Sequence, residues 1–283
     1  MQLAVVGMGN MGRSFAALAL ERGHRVTVWN RSPGKCGELV ARGAVEARSL
    51  EQCAAETDVV LVVLADDAAL LEVCTGQNGL LASLGPSTVL ANVSTVAPAT
   101  IRELAQAGPD DRVLDAPVMG SPENVANGFA RFLLGGPSST ITSHEVLWNE
   151  LGSGYIHCGP VGSAATMKVI ANLVLITGVT ALAEAIATAR AQGLPDQLLS
   201  EFFAGSPLVS AATSLRLGSV LDGAHPGWFS PALARKDVRL AVGLAEEAGV
   251  DVRIGPATDA LLTTVVDSGA EWPDFSAVIE ALS

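Results

Sequence analysis

The chain has 283 residues, 49% of them apolar and 16% charged, a balance that excludes disorder and suits one or two packed domains. Seventeen basic against 29 acidic side chains leave a formal charge of −12, which disfavours nucleic acid and anionic lipid as partners because like charges repel. Cys36, Cys53, Cys74 and Cys158 stand far apart, with no C-x-x-C pair and no His at ligand spacing. Neither a metal site nor a disulfide framework is therefore expected, and reduced thiols in the cytoplasm are.

LAVVG (3–7) reads as a short strand ended by glycine, and SFAALALERG (14–23) as a helix stopped at Gly23. The N-terminus lacks the basic start and cleavage site of a signal peptide. Between strand and helix lies GMGNMG, three glycines in six positions. Glycine is unfavourable inside either element, so each needs a reason. In a strand–turn–helix setting, Gly7 makes the tight turn, Gly9 opens the backbone to a pyrophosphate, and Gly12 lets helix and strand pack closely. The N–H groups along Gly7, Met8, Gly9, Asn10, Met11 and Gly12, with the helix dipole, then bind a dinucleotide. An ordinary strand-to-helix turn is the alternative reading.

RVTVWN (25–30) is a second strand. NAD binders place Asp or Glu near its end to accept from the ribose hydroxyls. This chain has Asn30, Arg31 and Ser32 there, with no carboxylate. Arginine and hydroxyl suit the extra phosphate of NADP, the alternative being that Arg31 is a solvated loop residue. PGKCGELVARG (33–43) is a weak helix, DVVLVVLA (58–65) a buried strand and DAALLEVCTG (67–76) a helix. STVLANVS (87–94), RVLDAPV (112–118) and FARFLLGG (129–136) supply further strands. Strands and helices taking turns predict a parallel sheet covered on both faces.

After Gly162 the pattern turns helical, opening with one long segment, 163–193. Its apolar run 169–183 is bounded by Lys168 and Glu184 and is too short to span a bilayer, so it reads as a core helix with no membrane role. Apolar nearly all round, it needs cover on several sides, part of it from another subunit. The fold class expected is α/β: an N-terminal Rossmann domain with a parallel sheet over 1–162, then an all-helical domain over 163–283.

Five segments in order carry a resemblance: GMGNMG at the start, NVSTVAP (92–98), DAPVMGSP (115–122), GPVGSAATMKVIAN (159–172) and FSPALARKD (229–237). Together they resemble the β-hydroxyacid dehydrogenase family, which includes 3-hydroxyisobutyrate dehydrogenase and short-chain semialdehyde reductases and is related to 6-phosphogluconate dehydrogenase. The resemblance covers essentially the whole chain. It implies a dimer or higher homo-oligomer, Lys168 as the catalytic residue and Asn172 as its assistant at the substrate. Four apart on a helix, the two side chains share a face. A lysine there can give a proton to a carbonyl oxygen, or take one in the oxidation direction. A solvated lysine with a polar neighbour is the alternative on spacing alone.

The resemblance also implies Lys236 as a contact near the nicotinamide, Asp237 holding local structure, and Phe229 lining the site. R-K-D is otherwise a solvated charge cluster. Ser94 and Thr95 are implied as contacts at the cofactor or substrate edge, their alternative being routine capping. Leu64 and Ala65 are expected along the adenosine side or near the nicotinamide ribose.

Family members show D-A-P-V-S-G-G at the substrate carboxylate, whereas this chain has Met119, Gly120 and Ser121 in the last three places. Met119 makes no strong hydrogen bond, so a bulkier or less acidic carbonyl substrate is a live expectation. Imine reductases resemble VMGSPENVANGFARFLLGG in part, but a cationic Lys168 repels an iminium substrate. Hydride transfer between NADP and a carbonyl or alcohol carbon of a small molecule is the reading adopted, with Ser94, Gly120 and Ser121 as substrate contacts. Imine reduction stands second, and a non-catalytic nucleotide-binding protein third.

Overall fold

Leu3, Ala4, Val5 and Val6 offer no polar side chain to either face, so the strand they form must lie inside a sheet covered on both sides. The computed structural model describes residues 1–54, 57–109 and 111–282. It divides into two compact units, Met1–Lys168 and Val169–Ser283.

The first unit holds the sheet. Its strands are β1 (Gln2–Val6), β2 (Arg25–Trp29), β3 (Val45–Glu46), β4 (Val59–Val62), β5 (Val89–Asn92) and β6 (Val113–Asp115), followed by β7 (Val118–Met119), β8 (Arg131–Gly135) and β9 (Tyr155–Gly159). The first six pair in parallel in the order β3-β2-β1-β4-β5-β6. That is the order of a dinucleotide-binding sheet, with the switch in direction between β1 and β4. Alternate residues of β1 feed opposite faces. Leu3 and Val5 join a core with Phe15, Phe132 and Trp148, while Ala4 and Val6 join one with Leu70, Leu80 and Ile101.

The sheet is parallel as expected over these six strands and turns antiparallel at its far edge. The segment 112–118 does not run as one strand: β6 stops at Asp115 and β7 resumes at Val118, both antiparallel to β8. Pro117, lacking an amide hydrogen, sits in the break. Two strands escaped the sequence reading. β3 is only two residues long, and β9, with its pattern of exposed and half-buried residues, carries no clear alternation.

The second unit is helical. Its core gathers Ile176, Val179, Leu182, Ala183 and Ile186 of the long helix Ser163–Ala191 against Val238, Leu262, Phe275 and Val278. In length and mean hydropathy (2.0 over its most apolar window) this helix matches a membrane-crossing one. Length therefore does not exclude a span, contrary to the 15-residue reading. One side of the helix packs into this core, with 44% of that window buried, while Ile170 and Val174 are exposed.

Candidate active site

The glycine loop joins β1 to the helix Asn10–Glu21. Gly7 has φ +101°, a left-handed conformation that side chains resist, and its N–H donates to the Trp29 carbonyl at 2.9 Å. A Cβ on Gly12 would fall inside contact of the Gly7 carbonyl, 3.0 Å from its carbon, so helix and strand approach as closely as backbones can. Gly9 differs from both. It is exposed, a Cβ there would meet nothing within 4 Å, and as N-cap it makes no side-chain capping bond. The opening amides of the helix thus face an open space, which is the setting an anion needs.

Neighbouring side chains brace this loop. Asn30, just past β2, accepts from the Met8 N–H at 2.9 Å and donates to the Ser32 carbonyl at 2.9 Å. Asn30 therefore holds the loop rather than pointing away from it. Arg13, which sequence reasoning missed, donates to the Met8 carbonyl and to Asn10 Oδ1, both at 3.0 Å. Its one signal was a position one residue past the third glycine. Met8 is buried, Met11 half-buried, and Arg31 and Ser32 exposed. Arg31 Nη1 lies 2.9 Å from Glu72 Oε2, an ion pair with both side chains about two-thirds exposed (69% and 65%).

Ser94 and Leu64 meet at the ends of β5 and β4. Ser94 Oγ accepts from the Leu64 N–H at 2.8 Å and lies 3.3 Å from the Val62 carbonyl as its donor. The Ser94 hydroxyl thus ties together the C-terminal ends of two interior strands, a structural use beside the substrate contact the resemblance implied. Thr95 and Leu64 are half-buried, and Ala65 is exposed. In the next segment Met119 is 40% exposed at the end of β7, so its thioether is presented at the surface and not packed in the core. Gly120 has φ +148°. Ser121 caps the helix Pro122–Ala126: its Oγ accepts from the Asn124 N–H at 3.1 Å, and Asn124 Oδ1 accepts from the Ser121 N–H at 2.9 Å. That reciprocal cap occupies the hydroxyl for which a substrate contact was expected.

Lys168 is the last residue of the first unit and half-buried, one turn before Asn172 on the same helix. Asn172 and Asp237 are 5% and 2% exposed, and Asn172 Nδ2 donates to Asp237 Oδ2 at 2.6 Å. Lys236 Nζ sits 2.9 Å from the other carboxylate oxygen. Asp237, on the helix Pro231–Glu247, thereby fixes the Asn172 amide and neutralises Lys236. The structure thus joins Asn172, Lys236 and Asp237 into one network. Phe229 is not in it: 8% exposed, its ring stacks on Trp228 and meets Phe275 edge-on, inside the core. Among the described residues no group of His, Cys, Asp and Glu is placed to hold a metal ion.

Residues 2–159 match the family described as the NAD binding domain of 6-phosphogluconate dehydrogenase, and residues 162–282 the family described as NAD-binding of NADP-dependent 3-hydroxyisobutyrate dehydrogenase. A probable mitochondrial 3-hydroxyisobutyrate dehydrogenase of Dictyostelium discoideum is 31% identical, over 98% of this chain and 89% of that protein. The chloroplastic glyoxylate/succinic semialdehyde reductase 2 of Arabidopsis thaliana is also 31% identical, over 99% of this chain and 79% of the relative. Among solved structures, 3-hydroxyisobutyrate dehydrogenase of Mycobacterium tuberculosis with L-serine superposes with a TM-score of 0.85 at 28% identity, covering 100% of this chain and 99% of that one.

Proposed function

The chain belongs to the β-hydroxyacid dehydrogenase family and is an NAD(P)-dependent oxidoreductase; from that premise we propose that it uses NADPH to reduce a small semialdehyde or related carbonyl acid, and NADP to oxidise the matching hydroxyacid. The glycine loop fits a dinucleotide, because the space at Gly9 and the uncapped helix start are what a pyrophosphate requires. The 2′-phosphate of NADP would be met by Arg31 and Ser32. Asn30 stands where an NAD binder carries a carboxylate, and its own oxygen is engaged with Met8. The Arg31–Glu72 pair is exposed, hence worth about 1 kcal/mol at most, and a phosphate dianion can compete for it.

When bound, the nicotinamide supplies or takes the hydride; the protein's residues handle the proton and the orientation. Lys168 gives a proton to the carbonyl oxygen in reduction and takes it from the hydroxyl in oxidation. Asn172 holds that oxygen, its amide kept in one orientation by buried Asp237. Lys236 contacts the cofactor from the same network. Met119, Gly120 and Ser121 border the rest of the substrate, Met119 bringing an apolar contact where a serine hydroxyl is usual. The exposed apolar residues of the long helix, Ile170 and Val174, support a homodimer or higher oligomer.

The observation that carries this reading is the pairing on one helix of Lys168 with an Asn172 whose amide is already braced. A paired NADH and NADPH assay across aldehyde acids, larger carbonyls and cyclic imines tests it. Turnover of carbonyls with NADPH, lost in Lys168→Ala while NADPH binding persists, is the expected result. Turnover of imines alone, or an active Lys168→Ala, refutes it.

A further inference from the structure

The first turn of the helix Asn10–Glu21 carries a charge of the wrong sign. A helix start is the positive end of its dipole, where a carboxylate stabilises and a cation does the opposite. Here the first turn holds no acidic residue, and its fourth position is Arg13. Nor is that charge compensated elsewhere. Arg13 is half-buried, and among the described residues it pairs with no carboxylate. Its two bonds go to neutral acceptors, the Met8 carbonyl and Asn10 Oδ1.

Those acceptors flank Gly9, the glycine of the loop with open space beside it. Helical side chains lean towards the N-terminus, so from the fourth position the guanidinium reaches back past the helix start. It does two things there. The peptide between Met8 and Gly9 is trans, so a Met8 carbonyl turned to the guanidinium directs the Gly9 N–H the opposite way. A guanidinium can only donate, so Asn10 presents its oxygen to it and keeps its Nδ2 hydrogens on the side away from Arg13. The Met8 N–H is already taken by Asn30. What remains for a ligand is the Gly9 N–H, the amides of the first helical turn and the Asn10 side chain. Arg13 orients the first and the last of these.

We propose that Arg13 is the positioning residue for the pyrophosphate of the cofactor: its fork holds the Met8–Gly9 peptide and the Asn10 amide as donors to phosphate oxygens, and its unpaired charge is neutralised by the bound diphosphate. The proposal rests on the reading that the dinucleotide lies on this loop. Pyrophosphate is common to NADPH and NADH, so Arg13 serves both, unlike Arg31. Without cofactor the same charge opposes the helix dipole, which offsets the two hydrogen bonds, so its removal acts on binding rather than on folding.

Arg13→Met keeps an apolar stem and removes both the donors and the charge. Arg13→Lys keeps the charge and removes the fork. Arg22→Gln, at the far end of the same helix, is the control. Affinities for NADPH and NADH are measured by fluorescence titration at low and high salt, and the cofactor-free proteins are melted by circular dichroism. In Arg13→Met both affinities are expected to fall by the same factor, about tenfold at low salt, with a shallower salt dependence because a screened charge attraction is gone. In Arg13→Lys they are expected to fall about threefold with the parental salt dependence. Melting midpoints are expected to stay within about 3 °C, and Arg22→Gln to bind within about twofold of the parent.

A loss confined to NADPH, an equal loss in Arg22→Gln, or a loss accompanied by early unfolding of the cofactor-free protein overturns the proposal, as does parental affinity in Arg13→Met. Should Arg13→Met fail to fold, Arg13→Lys decides: parental affinity there overturns it. Gly9→Ala is measured alongside. If that variant binds both cofactors like the parent, the reading of the loop itself has failed; if it loses affinity while both Arg13 variants bind like the parent, only the Arg13 proposal has failed.

Discussion

Replacing Gly9 by alanine separates the two uses of glycine in the N-terminal loop. Gly9 has φ −73° and ψ −173°, which alanine adopts freely, and the new Cβ would meet no atom within 4 Å. Losing glycine as N-cap and stiffening the unfolded chain act in opposite directions, each by about 1 kcal/mol or less. The thermal midpoint is therefore expected to move by no more than about 3 °C. The same methyl fills the space through which a pyrophosphate reaches the backbone amides. Losing a hydrogen bond to a charged group costs about 1.5–3 kcal/mol, so dinucleotide affinity is expected to drop roughly ten- to hundredfold. Gly12→Ala is the opposite case. Its Cβ would lie 3.0 Å from the Gly7 carbonyl carbon, against backbone that cannot step aside, and about 1–3 kcal/mol of stability is expected to go. NADPH fluorescence titration and thermal unfolding by circular dichroism, run on both variants, read the two effects separately. A Gly9→Ala protein that unfolds as early as Gly12→Ala, or that binds NADPH as tightly as the parent, refutes the reasoning.

Glu72→Gln is expected to lower the KM for NADPH a few-fold and leave that for NADH unchanged, because it frees Arg31 from an exposed ion pair; equal changes for both cofactors would sink the idea. Asp237→Ala leaves the buried Asn172 amide without its acceptor, so a stability loss of about 1–3 kcal/mol is expected with a fall in kcat, checked by denaturant titration and initial rates. Burial pushes the Cys53 and Cys74 thiols up to about 12 from 9.0. The unfolded chain releases those protons first, so their contribution is complete below pH 9 and declines from there towards pH 12, by about 1.4 kcal/mol per thiol per pH unit. Cys74→Ala is expected to flatten the fall of the melting temperature between pH 9 and 10.5, and an identical slope in both proteins would count against it.

The amino-acid sequence by itself determined the features that depend on neighbours along the chain. A β-branched run followed by glycines at fixed spacing specifies strand, turn and helix, because backbone sterics act over a few residues. Lys168 and Asn172 share a helix face for the same local reason. The long apolar segment is a helix by the same local rules, while what surrounds it is not written in its length or hydropathy. Tertiary structure decided the rest. Whether Asn30 holds the loop, whether the Ser94 hydroxyl ties the ends of β4 and β5 and whether Phe229 lies in the core all depend on groups brought together by the fold. Asp115 is the plainest case, since its Oδ2 accepts from the Ala165 N–H, 50 residues away, and Gly135 clears its seat from another strand. Short strands such as β3 and β9 have too few residues to show a period. Hydrogen bonding and burial are settled by which surfaces meet, and a linear pattern records only which residues are available to meet them.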